Sequence, residues 1–394
     1  MTRSCEICGH DGQVQTLHHQ AFFLPSNNQA NTYDVVVCPT CQFLYASPTT
    51  LPNASYYFEA DHHLSPNGPA LGLGAIHRQF LDFIEAHVQD LGVDTPILDI
   101  GASMGHFLNC FKEKGLLNLT GLEASQHAHR LAKERYGIYV DSSTLESFQT
   151  DKTFQLITLC GVLEHLTALR DKLARIASLL MPGGQLFIAV PDASRFDINR
   201  QGEPFLEFAS EHINFFTPTS LDRLLATQGF TKIAQESAPN DFYGNHQLMG
   251  LYALDSNTTS LHPLLDDSDS ITAIETYITS GRQRLELVNK ALASLLQSNE
   301  PVIIWGTGQL TARLLANSDM AKLNIDAFVD NNPSMQGRHY FGRLIKAPST
   351  LAGSQLTILI ASFVHARAIE AEARQIPEFS GRIFALPAYI PVKQ

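Results

Sequence analysis

A chain of 394 residues that is 44 % apolar has room for two or three folded domains. Its formal charge of −12 argues against a broad nucleic-acid footprint, which needs clustered Lys and Arg. No apolar run reaches the roughly eighteen residues of a membrane span. The start Met1-Thr2-Arg3-Ser4-Cys5 lacks the apolar stretch of a secretory signal, so a cytoplasmic protein is expected.

Four of the six cysteines fall in two short pairs, Cys5-x-x-Cys8 and Cys38-x-x-Cys41, separated by 29 residues. Each pair presents two thiolates to one centre, which suits a tetrahedral zinc site. With all four positions filled by Cys, no place is left for water, and the site reads as structural. His10, His18 and His19 are nearby spare donors. An apolar strand over Tyr33 to Val37 leads into the second pair, and residues 1–60 are expected to form a zinc-ribbon-like module. The connector Ser65 to Gly74 follows, and helical periodicity then runs from Ile76 through Phe80, Phe83, Ile84 and Val88 to Leu91.

Residues 61–255 alternate between two periods. Strands are predicted at 97–100, 119–123, 155–160, 184–190, 231–238 and 247–254. Helices are predicted at 106–115, 125–136, 168–180 and 218–228. That alternation predicts an α/β doubly wound sheet. Pro182-Gly183-Gly184 reads as the break between a helix and the next strand. The stretch Pro96 to Gly105, P-I-L-D-I-G-A-S-M-G, is a strand, a glycine-bearing turn and a helix start. Gly101 permits close approach of a ligand to the backbone. The helix beginning near His106 offers free N–H groups to a carboxylate. Glu123 closes the next strand, where an acidic residue suits a ribose diol. Cys110 reads as core packing.

Residues 256–299 read as a linker, polar from Asp255 to Ser270, and a long helix from Ile271 to Gln297. That helix carries Ile274, Ile278, Leu285, Val288, Leu292 and Leu295 on one side. Residues 300–394 start with strand Val302 to Trp305, the turn Gly306-Thr307-Gly308 and a helix. Strand Ile325 to Val329 ends at Asp330-Asn331-Asn332-Pro333. Strand Leu356 to Ala361 leads to Ser362 and His365. This is a second, smaller Rossmann-like unit.

Asp99-x-Gly101-x-x-x-Gly105 resembles the first motif of the class I S-adenosylmethionine (SAM) methyltransferases. It differs from the dinucleotide fingerprint G-x-G-x-x-G, because only two glycines are present, four apart. The resemblance implies a SAM pocket. Asp99 would lie by the methionine ammonium, with Gly101, Ala102 and Gly105 under the methionine and ribose. Glu123, with Ala124 beside it, would take the ribose hydroxyls. Asp141 or Ser142 would meet the adenine, and Cys160-Gly161 would pass close to the ligand. His165, in Val162-Leu163-Glu164-His165, would touch the methionine end or order its loop.

The catalytic candidate is Glu211-His212, within F-L-E-F-A-S-E-H-I-N-F-F-T-P after the fifth strand. SAM is already an activated electrophile, so the protein must deprotonate the acceptor and align it. A His near its ordinary pKa is a suitable base, and an adjacent carboxylate could support its cationic form. The competing role is a loop-ordering His beside Phe208, Phe215 and Phe216.

The order of parts, zinc module, SAM domain with Glu-His after the fifth strand, then a second Rossmann-like unit, resembles the three-domain sugar C-methyltransferases. These act on nucleotide-linked 4-keto deoxysugars. The resemblance implies catalysis by Glu211 and His212, and a C-terminal unit that helps hold the nucleotide. The chain departs from that family in three places. Ala209 stands where the family has Tyr. Phe242-Tyr243-Gly244-Asn245-His246-Gln247 replaces an H-G-G-S-x-R stretch. The Tyr- and Ser-rich lead-in is echoed only by Tyr56-Tyr57 and His62-His63. Tyr243, His246 and the His62-His63 pair are the reserve candidates for the base.

The expected partner is a small-molecule acceptor, a nucleotide sugar, with no nucleic acid and no membrane. A monomer or small homo-oligomer is expected. Methylation at oxygen of another small molecule or glycan, an RNA methyltransferase with a zinc ribbon, and a non-enzymatic module with a vestigial SAM site are the alternatives. The scarcity of Lys and Arg in residues 1–60 disfavours RNA, and the intact Asp99, Gly101, Gly105 and Glu123 set disfavours the vestigial site.

Overall fold

The structure is a computed structural model that describes residues 3–24, 29–48, 73–198, 202–240, 244–254 and 267–386. Tyr56-Tyr57, His62-His63, Phe242 and Tyr243 lie outside the described residues, as does nearly all of the connector and of the linker. The chain divides into two compact units that interleave in sequence. The first comprises Met1–Leu17, Val35–Phe196 and Glu211–Ile274; the second comprises His18–Asp34, Asp197–Ser210 and Glu275–Gln394. This differs from the expected contiguous division at 60, 255 and 299.

The first unit is built on a seven-stranded sheet. Its strands are β4 (Ile97–Ile100), β5 (Leu119–Leu122), β6 (Val140–Asp141), β7 (Phe154–Cys160), β8 (Leu180–Pro191), β10 (Phe230–Pro239) and β11 (His246–Leu254), in the order β10-β11-β8-β7-β4-β5-β6. Strands β8 to β6 run parallel, and β11 and β10 pair antiparallel at one edge. The parallel strands read as unbroken apolar runs because helices cover both faces. Those helices are α1 (Leu73–His87), α2 (His106–Glu113), α3 (Gln126–Tyr136), α4 (Leu169–Leu179) and α5 (Pro218–Ala226). The expected Pro182-Gly183-Gly184 break lies inside β8 instead. Leu180 already pairs with Phe154, and the register shifts before Gln185 joins Leu156, with Gly183 at φ +77°. The chain therefore turns without leaving the sheet.

The cysteine segment is part of this unit's interior. Cys5, Ile7, Val36, Cys38, Cys41, Phe43 and Tyr45 share one buried cluster with Leu98, Ile100, Phe216 and Leu221. Strands β1 (Gln15–Leu24), β2 (Gln29–Val37), β3 (Leu44–Ser47) and β9 (Asn214–Phe215) form a second sheet in the order β1-β2-β3-β9. The expected strand at Tyr33 to Val37 is the end of β2. The far ends of β1 and β2 belong to the second unit. A ribbon of few residues lacks the area for a core of its own, so it borrows one.

The second unit contains most of helix α6 (Ser268–Ser298), which starts within the expected linker. Thr217 donates to Asp267 at 2.6 Å just before this start. Ile278, Val288, Leu292 and Leu295 are buried, as their spacing predicts. Strands β12 (Val302–Trp305), β13 (Ile325–Val329), β14 (His339–Tyr340), β15 (Arg343–Lys346), β16 (Thr357–Ile360) and β17 (Ile383–Ala385) form a sheet in the order β14-β15-β13-β12-β16-β17. All neighbours are parallel except β14 and β15. Helix α7 (Gln309–Asn317) follows the turn Gly306-Thr307-Gly308. Gly306 sits at φ +110°, where any side chain is strained, and a Cβ would press on the Ala361 carbonyl at 3.1 Å. Asp330 takes hydrogen bonds from Thr307 N and Oγ1 at 2.9 and 2.6 Å, tying the ends of β12 and β13 together.

Candidate active site

The carboxyl ends of β4, β5 and β7 converge on one loop cluster, as open parallel sheets dictate. Gly101 turns the chain out of β4 at φ +77°, and a Cβ there would lie 2.4 Å from Val162 Cγ2. The turn thus requires glycine both for its dihedral and for the close approach of the β7 loop. Gly105, also at φ +77°, caps α2, and a Cβ there would press on Ala132 of α3 at 3.2 Å. Ala102 is buried, and its N–H and that of Gly101 donate to the Leu122 carbonyl at 3.1 and 2.8 Å.

Glu123 holds this turn directly. Its Oε2 accepts from Ser103 N at 3.1 Å, and its Oε1 accepts from Ser125 N at 3.0 Å. Each carboxylate oxygen keeps a second lone pair for a diol. Ser125 also caps α3 by accepting from Ala128 N at 3.2 Å, and Ala124 lies half-buried between them. Glu123→Ala is expected to weaken SAM by about 1.5–3 kcal/mol for each charge-assisted bond lost. Isothermal calorimetry checks this, and unchanged affinity would place the ribose contact elsewhere.

Asp99 is only 2 % exposed, and its Oδ1 accepts from Thr158 Oγ1 at 2.6 Å. Burial, with Glu123 adding a like charge, pushes its carboxyl up to about 7 against the Thr158 bond. A ligand ammonium would restore the ionised form. Asp141 accepts from Ser143 N and Tyr139 Oη, both at 2.9 Å, and Ser142 is exposed at the end of β6. Burial, then the neighbouring Asp99 and Glu164 charges, hold the Cys160 thiol well above its ordinary range. Cys160 is therefore no nucleophile at neutral pH.

The loop after β7 carries the acid–base groups. A single 3₁₀ turn, Leu163–His165, is clamped by the segment leading into β9. Ile213 N donates to the Glu164 carbonyl at 2.9 Å, and Asn214 Nδ2 donates to the Leu163 and Leu166 carbonyls at 3.0 and 2.8 Å. His165 Nδ1 bonds the Glu211 carbonyl at 3.0 Å. The rings of His165 and His212 lie 5.0 Å apart, so the structure brings both together at the turn that follows Val162, the residue packed against Gly101. Glu211 is buried and His212 half-buried. Phe216 packs on Phe43 at 5.5 Å, and Phe215 meets Phe196 at 6.5 Å. Phe208 instead belongs to the second unit, where it stacks with His18 and meets Tyr277 edge-on. His246 begins β11, with its Nδ1 3.3 Å from Ser237 Oγ.

The four expected metal ligands do converge. The Sγ atoms of Cys5, Cys8, Cys38 and Cys41 all lie within 4.8 Å of one another, with Cys5–Cys41 at 3.4 Å and Cys8–Cys38 at 3.5 Å. A disulfide would need about 2.05 Å, whereas tetrahedral zinc with bonds of about 2.3 Å sets its sulfurs about 3.8 Å apart. The donor set fits zinc. The spare histidines are engaged otherwise: His10 bonds the Gln13 carbonyl at 3.1 Å, His18 bonds Gln20 at 2.9 Å, and His19 bonds Asp34 at 2.8 Å.

A set of links that spacing alone does not reveal runs from the cysteine segment to the segment that carries His212. Glu6 caps α4 by accepting from Ala168 N and Leu169 N at 3.0 and 2.7 Å. Arg3 donates to Glu6, to the Ile213 carbonyl at 2.9 Å and to Asn214 Oδ1 at 2.7 Å. Arg223 of α5 donates to the Cys41 carbonyl at 2.6 Å. The cysteine segment is thus tied to β9, which begins two residues after His212, and to helices α4 and α5.

Residues 74–235 match the family described as a methyltransferase domain. No curated protein matches the sequence. Among solved structures, the chain is similar to the 1,6-didemethyltoxoflavin-N1-methyltransferase of Burkholderia thailandensis. That likeness has 20 % identity and a TM-score of 0.39, covering 56 % of this chain and 98 % of that one. It is also similar to the N-methyltransferase NodS of Bradyrhizobium japonicum, at 19 % identity and a TM-score of 0.39, covering 51 % of this chain and 98 % of that one. The family match falls on the loops that Asp99, Gly101, Gly105 and Glu123 build. Residues 74–235 therefore form a methyltransferase domain, and the chain is a methyl-transferring enzyme.

Proposed function

We propose that the enzyme transfers a methyl group from SAM to a small, nucleotide-activated (keto)deoxysugar, with His212 as general base. One observation carries this reading. His212 and His165 meet at the loop that touches Gly101, where the methyl donor's reactive end would lie. The pocket's own groups would bind SAM through Asp99, Gly101, Ala102, Gly105, Glu123 and Ala124, with Asp141 or Ser142 by the adenine. Cys160 would pass nearby as a neutral thiol.

Methyl transfer needs a nucleophile in line with the sulfonium methyl. A ketone makes its α-carbon acidic, so His212 takes that proton and the enolate attacks the methyl, releasing S-adenosylhomocysteine. Glu211 supports the imidazolium that results. Zinc at Cys5, Cys8, Cys38 and Cys41 is structural. The second unit, through Gly306 to Asp330-Asn331-Asn332-Pro333, holds the acceptor's carrier group. We place the enzyme in the cytoplasm, in carbohydrate biosynthesis, with no nucleic-acid or membrane partner and as a monomer or small homo-oligomer.

Incubation with a 4-ketosugar nucleotide in D2O tests this. Exchange of the α proton, dependent on His212, is expected by NMR. Methylation without exchange would make the acceptor an oxygen.

A further inference from the structure

Among the described residues, one group besides the four cysteines has metal-ligand geometry. Glu164, His165 and His212 each offer one donor atom, and these atoms lie within 4.8 Å of one another. The arrangement has an electrostatic oddity. The Glu211 carbonyl can only accept, so His165 Nδ1 carries the hydrogen in their 3.0 Å bond. In a neutral ring the lone pair then sits on Nε2. That nitrogen faces Glu164 Oε1 at 3.9 Å, too far for a hydrogen bond. Two Lewis bases thus lie 3.9 Å apart with no hydrogen bond between them.

A second, independent feature points the same way. Glu164 is 3 % exposed, and its Oε2 is buried without a hydrogen-bond partner. Such an atom is costly unless something else satisfies it. A cation held by both carboxylate oxygens would satisfy Oε2 and the His165 lone pair together, and a ring nitrogen of His212 lies within the same 4.8 Å group.

We propose that Glu164, His165 and His212 form a binding site for a divalent first-row transition-metal ion. Two imidazoles and one carboxylate suit Zn²⁺, Co²⁺, Ni²⁺ or Fe²⁺ and leave coordination positions open. Donors about 2.0–2.2 Å from a tetrahedral metal lie about 3.3–3.6 Å apart, so the 3.9 Å between Glu164 and His165 needs only a small closure on binding. His165 is already oriented by its bond to a backbone carbonyl, the usual outer-shell arrangement of a metal-bound histidine. The site's effect on turnover rests on the reading of His212 as base. The metal takes the lone pair that proton abstraction needs, so loading this site switches methyl transfer off, and a chelator that leaves the cysteine site filled restores it.

The full-length, zinc-loaded protein titrated with Co²⁺ tests the site without any acceptor. One further equivalent is expected, with a visible spectrum free of thiolate charge-transfer bands. Glu164→Gln and His165→Ala are each expected to weaken that binding by about 100-fold, with near-UV circular dichroism confirming the fold. No Co²⁺ beyond the zinc equivalent, or binding unchanged in folded Glu164→Gln and His165→Ala proteins, would overturn the site. Co²⁺ that binds as described but raises turnover would leave the site standing and remove His212 as the base.

Discussion

His212→Ala is expected to leave SAM affinity nearly intact and to lower turnover by about 10²–10⁴-fold, the range for loss of a positioned base. SAM's contacts are assigned to the β4 and β5 loops, where Glu123 alone ties Ser103 to Ser125. His212 enters from the segment before β9, whose geometry the Leu163–His165 turn fixes independently. Removing the imidazole therefore deletes a proton acceptor without loosening the cofactor loop. Glu211→Gln should cost less, because it keeps the shape and removes only the charge. Single-turnover kinetics with saturating SAM separate the two effects. Wild-type turnover in the His212→Ala enzyme would transfer the role to Tyr243, His246 or the His62-His63 pair.

Cys38→Ser is expected to lose the metal and to destabilise far more than the cysteine segment. Structural zinc contributes folding free energy outright, because the unfolded chain has no preformed site. Here Cys5, Cys38 and Cys41 sit inside the first unit's own core, beside Phe43, Tyr45 and Phe216. Arg3 and Glu6, two residues before and one after Cys5, hold β9 and the start of α4. A loss of about 4 kcal/mol or more, about 10 °C in Tm for a unit of this size, should follow, with turnover falling in step. Metal analysis and scanning calorimetry measure both. Zinc-free wild-type protein of undiminished stability would contradict the assignment.

The parallel core was legible because its strands are short, apolar and separated by helices with a 3.6-residue period. Glycines at 101 and 105 announced the turn, since no other residue adopts both its dihedrals and its close contacts. The four-cysteine cluster was legible from pair spacing alone. Strand pairs made by distant segments were not. β9 is two residues long, and only its partner Leu44-Tyr45 makes it a strand. The interleaving of the two units was equally hidden, because β1 and β2 pass from one unit to the other without a change in composition. Within the site, the assembly of Glu164 with both histidines depends on Ile213 and Asn214 clamping the 163–166 backbone. Long-range hydrogen bonds of that kind leave no periodic trace. The buried Thr158 partner of Asp99 looked like an ordinary strand residue.

The most direct test of the account is a calorimetric titration of the full chain with SAM, alongside the Glu123→Ala protein. The account predicts saturable one-to-one binding to the wild type and affinity about 10-fold or more weaker in the variant. Absence of SAM binding to folded, zinc-loaded wild-type protein would contradict it.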